Sequence, residues 1–359
     1  MLERERMRER EAEPIQYDTF TQEGLRKFKS HKEILAELPH IIKFEEFPWT
    51  QGVSCTHKHL DRRDSRAPVD EWIVPFHTLQ AHHEWLKPGH YMGTHRHMLE
   101  AIFYIQEGGG YEIHDGVRWD WEAGDVLCVP TYCIHTHFGD PVVGARFFAV
   151  TQRLYEFMGC GDREQLEVHP NYRELSQEEK VLMGADEELQ RIMAERMAHP
   201  TLGREPTNTY EEYMAKLSEE VMWRQGCTHV VKGKDRPWEE TQMGRLKYLV
   251  HPKIPTGLLT YEAWLQELPP GGHSGKHRHM AEELHLVLEG KGYDVHDGVQ
   301  WDWDQFDLVH IPKNTVHQHF NADPYKPALT YHVQSRLFDF IGHGGVEHLE
   351  DAPGYKRAA

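Results

Sequence analysis

Two short stretches of this chain have the residue types and spacing for metal chemistry. His95 and His97 flank an arginine, as do His277 and His279. In an extended strand residues i and i+2 project from the same face, so each pair offers two imidazoles to one point. A third histidine follows each pair at the same distance, His135 after the first and His317 after the second, each just beyond a proline. Three neutral imidazoles suit iron(II), manganese(II), nickel(II) or zinc(II), and they leave coordination positions open for oxygen, water or substrate. A merely polar strand face has no reason to recur with the same third histidine. Phase also sorts the neighbouring acids. Glu283 shares parity with His277 and His279 and is expected as a fourth ligand, whereas Ala101 stands at the matching place of the first set. Glu100 and Glu282 have the opposite parity, shared with Arg96 and Arg278, and read as outward Arg–Glu pairs. His137 and His319 are in phase with the third ligands and His285 with Glu283, which makes these three the candidates for proton transfer or substrate contact.

The elements that must position these residues come in two copies. Residues 93–138 overlay residues 275–320 without a gap at an offset of 182, with about half the positions identical. Within each copy, short β-rich runs (AIFYIQEG, LHLVLEG) end at glycine. Asp115-Gly116 and Asp297-Gly298 mark tight hairpins, because a type I′ turn needs positive φ at both central positions. Many short strands with tight turns and no intervening helix predict a small β-barrel or jelly roll in each copy. The chain is thus expected to be all-β with a helical connector. We expect a partly helical segment over 1–50, a first barrel domain over 51–160, the connector over 161–240, a second barrel over 241–345 and a tail over 346–359. In the connector, 186–198 and 209–224 carry apolar residues at helical spacing, with Thr209 near the N-cap. The repeated Trp119, Trp121, Trp301 and Trp303 are expected to pack hairpins or the interface between copies. His114 and His296 adjoin the turns and are expected near solvent.

Composition narrows the partners. Asp and Glu outnumber Lys and Arg by 58 to 40, for a formal charge of −18, and no basic stretch offers a nucleic-acid face. The charged start and the lack of a long apolar run predict a cytoplasmic protein with no membrane partner. The odd number of cysteines, 5, with no CxxC pair, argues for buried thiols over a disulfide framework.

The order G-x-H-x-H, a glycine-ended strand, then P-x4-H resembles the two motifs of the cupin superfamily. Two such modules joined by a helical connector resemble the gentisate 1,2-dioxygenase family of ring-cleaving bicupins, over most of 75–160 and 250–342. That resemblance implies a catalytic iron(II) on His95, His97 and His135, dioxygen as co-substrate, a small aromatic substrate and a homo-oligomer. It assigns His137 to the shell around the metal. The place that family gives to a carboxylate-binding arginine is Phe103 here and His285 in the second module, and the place of a glutamine is Glu84, with Gln266 in the second module. A substrate other than gentisate itself is implied, one that lacks the usual carboxylate or presents it to another base such as Arg146. For Glu84 a surface position is the preferred reading. Competing readings are a manganese decarboxylase or oxidase of a small acid, which Glu283 favours, and a bicupin that binds metal or ligand without turnover.

Overall fold

The computed structural model describes residues 38–51, 55–60, 76, 78–159, 163–167 and 205–356. Alternation of inward and outward side chains builds two barrels of antiparallel strands from the two copies. In the first, the strand Ala101–His114 is 14 residues long and serves both walls, pairing with Ala145–Gln152 and Val126–Val129 at one end and with Val117–Glu122 and His135–Gly139 at the other. In the second the same path is interrupted between Glu283–Glu289 and Gly292–His296, which leaves a 7-stranded and a 5-stranded sheet. Both expected hairpins form, with φ of 47° and 84° at Asp115 and Gly116 and of 49° and 86° at Asp297 and Gly298, the positive values that a type I′ turn needs. Glycine is required at Gly110 and Gly292. A Cβ there would stand 2.0 Å from the carbonyl oxygen of Phe138 or Phe320, and 2.6 or 2.5 Å from the indole of Trp121 or Trp303.

The barrels share a core. Ala101, Phe103 and Ile105 point into the first barrel with Phe147 and Ala149. Ile102 and Tyr104, on the other face of the same strand, pack with Phe148, Tyr261, Leu284, Leu286 and Tyr331 between the barrels. The Tyr104 and Tyr331 rings stack at 4.5 Å. Residues His40–Ala359 accordingly form one compact unit.

Pairing across the chain crosses the expected segments. Ile41–Ile42, from the expected N-terminal segment, pairs with Leu308–Ile311 of the second barrel, and Val230–Val231, from the expected connector, pairs with Val126–Val129 of the first. Val346–Glu350 is a strand on Lys276–His279, where a tail was expected. The helix expected over 209–224 runs Thr209–Gly226, but its cap is Asn208, whose side chain accepts from the Glu211 backbone N–H. The helix expected over 186–198 lies outside the described residues, as does most of 1–50. No helix among the described residues is long and apolar enough to cross a membrane.

Burial between the barrels overturns the outward reading of Glu100 and Glu282. Each is 2% exposed. Glu100 accepts from the backbone N–H groups of Leu259 and Thr260 and from the Thr260 hydroxyl at 2.6 Å. Glu282 does the same for Thr78 and Leu79 and lies 2.9 Å from His310 Nε2. Arg96 and Arg278 pair instead with Glu164 and Glu347.

Candidate metal centres

Local pairing places the ligands. His95 lies directly across from His135, and His277 across from His317, so one imidazole from the neighbouring strand joins each in-phase pair. In the first barrel His95, His97 and His135 are buried with one ring nitrogen each inside a 4.8 Å circle, and His277, His279 and His317 repeat this in the second. The backbone fixes their tautomers. The Nδ1 atoms of His95, His97 and His135 lie 2.8, 2.6 and 2.8 Å from the carbonyls of Gly93, Leu99 and Cys133. His279 and His317 likewise meet the carbonyls of Ala281 and Thr315. An Nδ1–H donated to a carbonyl leaves Nε2 with a bare lone pair. The Nε2 atoms of His135, His279 and His317 are buried and have no hydrogen-bond partner, the condition that a metal ion would relieve. Burial lowers the proton affinity of His95, His97, His135, His277 and His317, to about 4 for His97 and about 3 for His277, so these five are neutral donors at neutral pH.

Around these sets the barrels part company. Glu283 is buried in the second barrel with Oε2 3.1 Å from His279 Nε2 and Oε1 2.7 Å from His332 Nδ1. Ala101 and Phe103 occupy the corresponding places in the first, and the Phe103 ring lies 5.1 Å from that of His137. His285 is fully buried among His319 and His332, with ring centroids 4.9 and 4.6 Å away.

Two acids that the sequence reasoning passed over organise the histidines behind the ligands. Glu112 is cross-strand from His137, and its Oε2 lies 3.1 Å from His137 Nδ1 and 2.9 Å from His114 Nε2. Asp294 holds His319 Nδ1 at 2.8 Å and His296 Nε2 at 3.2 Å, and its other oxygen accepts from the Trp303 indole. Burial opposes a charge on His319, but Asp294 raises its proton affinity. The signal was present in the repeat, since Glu112 and Asp294 share the inward parity of the histidine two residues on. His114 and His296 are buried, not near solvent, and are bridged at 2.7 Å to His229 and His40. Trp119 and Trp301 stack on those same two partners.

The expected substrate contacts divide. Glu84 is buried, not at the surface. Its strand turns it toward the first cavity, 2.8 Å from His82 Nε2 and 3.7 Å from His57 Nδ1. Burial alone would raise its pKa, but the His82 hydrogen bond and the surrounding histidines bring it to about 2. Gln266 donates to the Met243 carbonyl. Arg146 is exposed beside Glu107 and Trp85, on the opposite face of its strand from Phe147, and does not reach the cavity. Another arginine, itself exposed, shares the ligand face. Arg163 pairs across from His97 in the strand Arg163–Gln165, which puts its side chain on the ligand face. After burial, its positive charge is the largest influence that lowers the proton affinities of His95 and His97. No motif marked it, because that pairing joins residues far apart in sequence.

Comparison with known proteins agrees with the architecture. Residues 264–333 match the family model for the cupin domain. Auxin-binding proteins T85 and T92 of Nicotiana tabacum are each 32% identical over 90 residues, which is 22% of this chain, and the chain spans about half the length, 48%, of these curated relatives. A variant of salicylate 1,2-dioxygenase from Pseudoaminobacter salicylatoxidans in complex with gentisate superposes with a TM-score of 0.58 at 16% identity, covering 92% of this chain and 90% of that one. An oxalate decarboxylase variant from Bacillus subtilis gives 0.57 at 14% identity, covering 87% and 80%. Two histidine-lined barrels in one chain define a bicupin. Residues 264–333 are a cupin domain, and the two-barrel fold of the chain is that of the bicupin structures it superposes on.

Proposed function

We propose that the first barrel is the catalytic one, and that the chain is an iron(II)-dependent ring-cleaving dioxygenase of a hydroxylated or amino-hydroxylated aromatic compound bearing an acidic group, with dioxygen as co-substrate. The observation that carries this reading is the pairing of His95, His97 and His135, their Nδ1 atoms tied to carbonyls, with the apolar wall of Ala101, Phe103, Phe147 and Ala149. A bound iron(II) would let electrons pass from an electron-rich ring to dioxygen, which otherwise reacts slowly with closed-shell molecules. The protein supplies the rest. Phe103 and Phe147 exclude water and offer faces and edges to an aromatic ring. His137 is placed to take a phenolic proton, and the Glu112 carboxylate beside it stabilises the imidazolium that results. Glu84, held near 2, is too weak a base for that task. Arg163, on the ligand face beside His97, supplies the cation for the acidic group in place of Arg146.

The test is iron-loaded protein in an oxygen electrode against hydroquinones, salicylates, aminophenols and hydroxynaphthoates, with mass spectrometry for ring-opened products carrying both oxygen atoms. Absence of oxygen uptake across that panel defeats the reading and leaves a non-catalytic metal-binding bicupin. The double variants His95→Ala/His97→Ala and His277→Ala/His279→Ala are each expected to lose the metal of their own barrel, and only the first to lose oxygen uptake. A second reading, a manganese decarboxylase or oxidase of a small acid, is favoured by Glu283 beside His279. Carbon dioxide release with manganese and no net oxygen use would establish it.

A further inference from the structure

The interiors of the two barrels differ at three facing positions in a consistent direction. Ala101, Phe103 and Ala149 of the first barrel become Glu283, His285 and His332 in the second. The register confirms the match, since Phe103 pairs with Ala149 as His285 pairs with His332. Three apolar side chains are thus exchanged for one carboxylate and two imidazoles, none of the three more than 1% exposed. With His319 they place one donor atom each within 4.8 Å of one another.

This group is not satisfied by the protein alone. Both ring nitrogens of His285 are buried without a hydrogen-bond partner, and Glu283 Oε2 meets only His279 Nε2, itself a member of the three-histidine set. A buried polar atom left without a partner is costly unless something outside the chain meets it. Neighbouring contacts also aim the donors. Asp294 holds His319 by Nδ1, which directs Nε2 inward, the carboxylate–histidine arrangement that orients a metal ligand. His332 is bound at Nδ1 by Glu283 Oε1 and at Nε2 by the Thr330 hydroxyl, 2.7 Å in each case. It therefore positions the Glu283 carboxylate and is not itself left as a donor. The other oxygen of that carboxylate lies 3.1 Å from His279 Nε2, a member of the three-histidine set.

We propose that the second barrel binds two divalent first-row cations, one on His277, His279 and His317 and one on Glu283, His285 and His319, with the Glu283 carboxylate between them. The imidazole and carboxylate donors suit zinc, manganese or iron. The first barrel cannot do the same, because alanine and phenylalanine stand where the second ligand set would be. This assignment does not depend on which reaction the first barrel carries out, and a failure of the oxygen-uptake test would leave it standing.

The experiment is metal analysis of the full chain saturated with zinc(II) and freed of excess, together with anomalous scattering at the zinc edge from its crystals. The expected count is about three equivalents per chain, with two scattering peaks in the second barrel, falling to about two equivalents in His285→Phe, which installs the residue the first barrel tolerates. Glu283→Gln, close in size, provides the same readout should His285→Phe not fold. Saturation of the unaltered protein at two equivalents with one peak per barrel overturns the proposal, and so does a folded His285→Phe that retains three. Loss of one equivalent in His277→Ala/His279→Ala alongside no loss in His285→Phe would leave the three-histidine site standing and remove the second cation.

Discussion

At the scale of single residues, the division of labour turns on side chains that no local motif contains. Arg163 lies across from His97, and its removal tests whether it holds an acidic group of the substrate. Charge-assisted hydrogen bonds contribute about 1.5–3 kcal/mol, so Arg163→Met should raise KM about 10- to 100-fold for carboxylate-bearing aromatics. KM for their uncharged analogues should hardly change. An equal loss on both classes would mean that Arg163 supports the barrel and does not select the substrate. His137 is read by kcat against KM. With Glu112 at 3.1 Å, His137→Gln should lower kcat at least about 10-fold with KM and metal content little changed. An unchanged kcat would remove His137 from the proton-transfer step.

Elements are joined here by carboxylates in a way their sequence phase misrepresents. Glu100 and Glu282 face away from the metal ligands, as parity says, but the face opposite the cavity is the seam between barrels and not solvent. Their oxygens are the acceptors for backbone N–H groups at the start of the partner barrel's strand. Burial raises the pKa of Glu100 even so, while the Thr260 hydroxyl and the backbone donors counter it. Glu100→Ala and Glu282→Ala should each destabilise the protein by about 3 kcal/mol in urea unfolding, because several buried donors lose their acceptor together. Metal content should stay the same. A change below about 1 kcal/mol would show that water takes over these donors. The hairpins, by contrast, were legible to the residue. Asp-Gly between β-rich runs has one compact solution, and nothing distant competes with it.

At the scale of the whole molecule, exchanged strands and a shared core make the two barrels one cooperative body, and unfolding should follow a single transition. Its acid sensitivity has an identifiable contributor away from the metal ligands. His83 is buried on the inter-barrel side, near Phe44 and Phe148, and meets Gln106 Oε1 at 2.8 Å. Burial lowers its pKa to about 4 from an ordinary 6.5, although the Gln106 contact opposes the shift. The unfolded chain therefore takes up this proton before the folded one does. The stability linked to neutral His83 is present above pH 6.5 and is lost as pH falls through 4, on the order of 3 kcal/mol in all. Melting of His83→Leu should show a shallower decline from pH 7 to 4 than the unaltered protein. Parallel declines would place the acid sensitivity elsewhere. The sequence by itself determined the two three-histidine sets, the phase of Glu283 and Ala101, and the repeated hairpins, because strand alternation and tight turns act over a few residues. Only the tertiary structure decided that Glu84 enters the first cavity, that Arg163 sits across from His97, that Arg146 stays outside, that Glu100 and Glu282 seal the seam, and that His40 and His229 serve opposite barrels. Each of those depends on pairing between strands far apart in the chain, where local spacing carries no information.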